Sequence, residues 1–198
     1  MKTILFCFSA LLLSVACYAG GGGKDKFAIN MPYDSTTQKY TYKKVVEVPG
    51  KTAKDLYLLA KSWGKHKFMH EKFVIDEENT ELADNGNFEV TVMMNAGMVK
   101  MPMKGTTLYN MNIQFKEGKA RIVVTDLKVS DNASGTTNEK TMEIYSREAD
   151  QMGGLMAAGK SAGKKFTADY MNAVDAEMVK VITDLETALK GGGAKDNW

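Results

Sequence analysis

Seven apolar residues near the C-terminus, Phe166, Tyr170, Val174, Met178, Val181, Leu185 and Leu189, recur in steps of three and four. That spacing puts them on one stripe of a helix over 166–189. A stripe of roughly six turns needs a matching oily surface, which the preceding chain must supply. Lys190 and the glycines Gly191 to Gly193 mark its end and open a polar tail over 191–198.

The preceding chain reads mainly as strands. Phe27 to Tyr33 suits an edge strand, and Asp34 to Thr37 carries turn chemistry. Tyr40 to Val48 is rich in Tyr and Val and stops at Pro49-Gly50. Thr52 and Asp55 then open a helix whose buried face is Leu56, Leu59, Ala60 and Trp63, with Gly64 as its stop. Strands are expected at Phe68 to Asp76, Phe88 to Met94, Thr107 to Phe115 and Lys119 to Val129. Asn85-Gly86 predicts a tight turn, and Lys116-Glu117-Gly118 joins the last two strands as a hairpin. In the final strand Ile122 and Val124 are out of phase with Leu127 and Val129, so a bulge near Asp126 is expected. Asp131 to Lys140 reads as an exposed loop, and Thr141 to Lys165 is open between a helix and a lid.

The expected fold class is α+β. A curved antiparallel sheet of about five to six strands has one helix after its first strand and a long C-terminal helix packed on it, in a helix-grip-like arrangement. A groove between that helix and the sheet would be lined by Trp63, Met93, Met111, Phe166, Tyr170 and Met178.

The first residues read as a signal for export. Lys2 precedes an apolar run from Ile4 to Val15, too short to span a membrane. Residues 1–19 form the leader, with cleavage between Ala19 and Gly20. Ser14-Val15-Ala16-Cys17 is the competing site, which would leave a lipidated Cys17. Residues 20–26 are a flexible linker and 27–190 a single domain. Both cysteines, Cys7 and Cys17, fall in the leader, so the domain is held without disulfides. The net charge of +2 includes Lys2 of the leader. Such a balance argues against a nucleic-acid partner, which would call for a concentrated basic face. Membrane attachment is expected only through a lipidated Cys17.

Three stretches resemble a known family. They are Met31-Pro32-Tyr33-Asp34, then Tyr40 to Gly50 with Asp55-Leu56-Tyr57 and Ala60 to Trp63, and finally Ile113 to Arg121. Over about residues 28–129 they are similar to DUF4468, a domain of unknown function with a TBP-like fold that is common in exported proteins of Bacteroidetes. The resemblance implies fold and compartment, namely the periplasm or envelope of a Gram-negative cell, or secretion. It carries over no catalytic residue, and a TBP-like shape does not imply DNA binding.

The chemistry-bearing residues are few. His66 and His70 have helical metal-pair spacing, yet no third ligand accompanies them, and they read as solvated histidines beside Lys65, Lys67 and Lys72. Met93, Met94, Met98, Met101, Met103 and Met111 are dense enough to suggest a soft Cu(I) site, or an adaptable apolar surface. Gly97 and Pro102 place Met98 to Met103 in a loop. Glu77, Glu78, Glu81 and Asp84 read as a solvated acidic loop. No phosphate loop or nucleophile elbow is present. The expected function is a non-catalytic binding domain that needs no cofactor and holds an apolar ligand or protein partner. The alternatives are an envelope assembly component and a Cu(I) binder.

Overall fold

The computed structural model describes residues 27–68, 72–96, 99–131, 138–148 and 160–191. The leader, including Cys17, Ala19 and Gly20, lies outside them, as do the linker, residues 149–159 and the tail from 192.

Eight strands and three helices are described. They are β1 Tyr33–Asp34, β2 Lys39–Tyr40, β3 Tyr42–Glu47, α1 Ala53–Phe68, β4 Ile75–Glu77, β5 Glu81–Ala96, β6 Val99–Lys116, β7 Lys119–Asp131, β8 Asn138–Thr141, α2 Met142–Arg147 and α3 Lys160–Leu189. Strands β1 and β2 form a small hairpin, its turn held by Asp34, whose carboxylate accepts from the Thr36 and Thr37 amides. The main sheet is antiparallel, in the order β3-β7-β6-β5-β4, with β8 pairing β7 beyond the end of β3. The α+β architecture expected from the sequence is the one observed.

The sheet has one oily face. Its rows are Tyr42 and Val46 from β3, Ile122 and Val124 from β7, Met111, Ile113 and Phe115 from β6, and Leu82, Val90 and Val92 from β5. In β7 the inward set shifts from even to odd numbers at Asp126, where the pairing with β6 slips between Leu108 and Asn110. Asp126 takes φ 54°, a left-handed conformation that Asp tolerates. The extra residue lets Leu127 and Val129 join Ile122 and Val124 in the core. Lys39 and Asn110 both donate to the Asp126 carboxylate and fix the bulge from outside.

Helix α3 lies on this face. All seven residues of the stripe are buried, joined by Met171 and Ile182. Polar ties flank the apolar contact. Tyr42 Oη donates to Asp175 at 2.8 Å, Lys44 pairs with Glu186, and Tyr170 Oη meets Thr107 Oγ1 at 3.3 Å. Asn172 holds the segment before β1, accepting from the Asn30 amide and donating to the Ala28 carbonyl. Helix α1 opens with a reciprocal cap, because Thr52 Oγ1 accepts from the Asp55 amide while Asp55 accepts from the Thr52 amide.

Several boundaries differ from the sequence reading, and glycine explains two of them. Helix α1 runs through Gly64 to Phe68, so the expected strand from Phe68 shrinks to Ile75–Glu77. Gly64 is a notch: an added Cβ would sit 2.7 Å from the Phe73 ring. Asn85-Gly86 is not a turn but lies inside β5, opposite Asn110 and Tyr109. There the Tyr109 ring covers Gly86, and a Cβ would come within 2.2 Å of it. Gly105 is the third notch, filled by Tyr170. Pro102 and Met103 belong to β6, not a loop. Proline is tolerated there because β7 pairs β6 only from Thr106 onward, so that reach of β6 has one strand neighbour. Asp84 is a buried β5 residue instead of part of a solvated acidic loop. Helix α3 starts at Lys160, earlier than Phe166. The Gly/Ala/Met run at 152–159 lies outside the described residues.

These notches give a test. Gly86→Ala should cost about 2–3 kcal/mol in chemical denaturation, an overpacking penalty. Gly118→Ala, at a turn with φ 72° and no atom within 4 Å of a Cβ, should cost only about 1 kcal/mol of backbone strain. Equal losses would show that the ring contact is not what selects glycine at 86.

Candidate functional site

The six residues expected around a groove separate. Met111, Phe166, Tyr170 and Met178 are core residues, packed against one another and their neighbours. Trp63 is half-buried at the end of α1, edge-on to Phe68. Met93 is 53% exposed on the opposite face of the sheet. The gap among Trp63, Phe73 and Met111 is too tight for a water molecule. The methionines separate too: Met94 and Met101 face each other across the β5–β6 pair, Met103 shares their face, and Met98 is not among the described residues. His66 is exposed on the last turn of α1, and His70 is outside the described residues. Among the described residues no three His, Cys, Asp or Glu side chains are grouped to hold a metal ion.

A polar triad absent from the sequence reading joins α1 to β4. Tyr57 Oη donates to Asp76 Oδ1 at 2.5 Å, and Lys61 Nζ donates to Asp76 Oδ2 at 2.6 Å and to Tyr57 Oη at 2.7 Å. The sequence signal was Tyr-x-x-x-Lys, one helical turn that stacks the two side chains. Burial, then the bond to Asp76, pushes the Tyr57 phenol up. Hydrogen bonds from Lys61 and then Tyr57 hold the Asp76 carboxyl below its usual range, and the Asp76 bond raises Lys61. Every shift leads away from neutrality, whereas acid–base catalysis needs a group poised near the working pH. The triad is a clamp for a short edge strand.

The other face of the sheet has a different character. None of the described helices covers it. One row across it is Val45, Arg121, Gln114 and Glu81, and the next is Lys43, Val123, Asn112 and Ala83. At the β6–β7 hairpin end, Lys116 and Lys119 lie beside Glu47. A shallow hollow of about 270 Å³ lies here, lined by Val45, Gln114, Lys116, Lys119, Ala120 and Arg121. Arg121 donates to the Gln114 side-chain oxygen, which fixes the guanidinium over the hollow.

The family model for a domain of unknown function with TBP-like fold, DUF4468, matches residues 42–130. Over this stretch the chain is similar to the DUF4468 family. The stretch runs from β3 into the end of β7 and contains every residue of the hollow. Two crystal structures share the fold. A TBP-like protein from Parabacteroides distasonis superposes with TM-score 0.58 at 13% identity, covering 81% of this chain and 97% of its own. A DUF4468 family protein from Bacteroides ovatus gives TM-score 0.53 at 14% identity, covering 85% and 93%. Among curated proteins none matches the chain.

The clamp predicts a pH effect. A carboxyl with a lowered folded pKa stabilises the fold above the ordinary carboxylate range and loses that contribution as pH falls through its folded value. Asp76 is a third exposed, so the contribution is about 0.5–1 kcal/mol. Asp76→Asn should therefore lower stability at pH 7 by that amount and converge on the parent in strong acid, once pH is below the lowered folded value. Urea melts at the two pH values check it, and a difference that persists in acid would point to lost packing instead.

Proposed function

We propose that this chain is an exported, non-catalytic interaction domain of the cell envelope, meeting its partner with the helix-free face of its sheet. The observation that carries this reading is the contrast between the two faces. One is filled by α1 and α3, while the other leaves Lys43, Val45, Glu47, Lys119 and Arg121 exposed. Export rests on the leader pattern from Lys2 to Gly20. Capture of an apolar ligand under α3 would mean expelling side chains such as Met111 or Met178, each worth several kcal/mol of core packing. A flat sheet face requires no such rearrangement.

A second reading, an assembly component, is favoured by the far end of the β5–β6 pair. There Val99, Met101 and Met103 are exposed on one face of a strand with no neighbour on its β7 side. Lys100, Pro102 and Lys104 alternate with them and blunt the edge against strand addition, so assembly here would use the apolar side chains and not an added strand.

Photo-crosslinking amino acids in the full-length protein, expressed in a Bacteroidetes host, separate these readings. A probe at Val45 or Val123 should give a discrete adduct in the envelope fraction, and one at Leu58 or Val179 on the helices should give none. Adducts only from Met101 or Met103 would favour assembly through the strand pair. Adducts of equal yield from the helical positions would overturn the sheet-face reading. Intact-mass measurement of the exported protein should place its N-terminus at Gly20, and a lipidated Cys17 would redirect the proposal to a membrane-anchored form.

A further inference from the structure

Nine of the described lysines are committed to ion pairs. Lys39, Lys43, Lys44, Lys61, Lys128, Lys140, Lys165, Lys180 and Lys190 each sit within 4 Å of a carboxylate. Lys116, Lys119 and Arg121 form no ion pair among the described residues, although three carboxylates are near in sequence or register. Two of those are engaged elsewhere. Glu117 accepts from the Ala53 amide at 3.1 Å, and Glu81 accepts from the Asn112 side chain. Glu47 stands opposite Lys119 in register without closing on it. One corner of the open face thus holds three cations around a hollow with no closed ion pair, Glu117 and Glu81 being turned to neutral donors and Glu47 standing beside Lys119.

The hollow has chemistry besides charge. Arg121 is held by Gln114, so its remaining N–H groups are oriented before any ligand arrives. Val45, 55% exposed, supplies methyl groups beside the cations. A bare inorganic anion would gain nothing from those methyls. A glutamate side chain brings a carboxylate for the guanidinium and two methylenes for the valine. The size fits: about 270 Å³ admits one or two side chains, not a folded element.

We infer that this hollow takes acidic side chains from a polypeptide partner, with Arg121 as the oriented carboxylate donor and Lys116 and Lys119 as flanking charges. The inference rests on the sheet-face reading and narrows it to one corner and one partner chemistry.

Titration of the ¹⁵N-labelled chain from Gly20 onward with a hexaglutamate peptide at low salt tests it. Amide shifts should saturate and centre on Val45, Gln114, Lys119 and Arg121. Arg121→Gln combined with Lys116→Gln should weaken binding at least about tenfold, roughly 1.4 kcal/mol, while Lys165→Gln with Lys180→Gln on α3 should leave it unchanged. Inorganic phosphate forms a second arm, expected to be weaker and insensitive to Val45→Ser. Phosphate binding as tightly as the peptide, or equal losses in the two double variants, would overturn the inference. Saturable peptide shifts on the open face away from Arg121 would also overturn it while leaving the sheet-face reading intact. No saturable shift with either probe would dismiss the hollow, and the crosslinking experiment would then decide the wider reading alone.

Discussion

The contact between α3 and the oily face of the sheet organises this molecule. Strands β5, β6 and β7 are long enough to pair, yet their inner residues would face water without a cover. The stripe from Phe166 to Leu189 supplies it, and α1 closes the remaining end through Leu56, Tyr57 and Ala60. Close approach depends on details of the sheet. Gly105 admits the Tyr170 ring, Gly86 admits Tyr109, and the bulge at Asp126 restores the inward phase of β7. Each is a local departure from a regular strand that makes the regular layer above it possible.

How much of this was legible in the sequence follows from the same details. The α3 stripe, the cap at Thr52, the β6–β7 hairpin and the bulge were all readable, because each is a local pattern with a local cause. The α+β class and the DUF4468 likeness were readable as well. The glycines at 64 and 86 misled, because glycine serves a turn and a close aromatic approach equally well. Only the partner ring distinguishes the two, and Tyr109 is remote in sequence from Gly86. Met98 to Met103 read as a loop because Pro102 suggests a break, and the absence of a β7 neighbour there is a fact of topology. The candidate site was less legible than the fold. Four of the six groove residues, Met111, Phe166, Tyr170 and Met178, lie in the core, while Met93 faces the other side of the sheet, and apolar periodicity does not separate a filled interior from a lined cavity. Lys116, Lys119 and Arg121 stood in the quoted family motif, and their lack of carboxylate partners needed three dimensions.

The two faces divide the labour of the fold. The inner one holds most of the buried apolar residues and the rings of Tyr109 and Tyr170, so substitutions there act on stability. The outer one carries long polar side chains and two valines, where substitution costs the fold little and alters only what the surface meets. The Tyr57–Lys61–Asp76 clamp sits at the margin, tying a three-residue strand to α1. Its carboxyl is held below its usual range and its phenol and ammonium above theirs, so all three groups keep the protonation that the tie requires.

The position of α3 in the chain has a consequence for how the protein is made. The strands leave the ribosome well before the helix that shields them. Until Leu189 has emerged, the valines, tyrosines and methionines of the inner layer have no permanent cover, and the contacts that complete it join distant parts of the polymer. Such a product stays threadable for the whole of its synthesis and acquires its final shape only at the end.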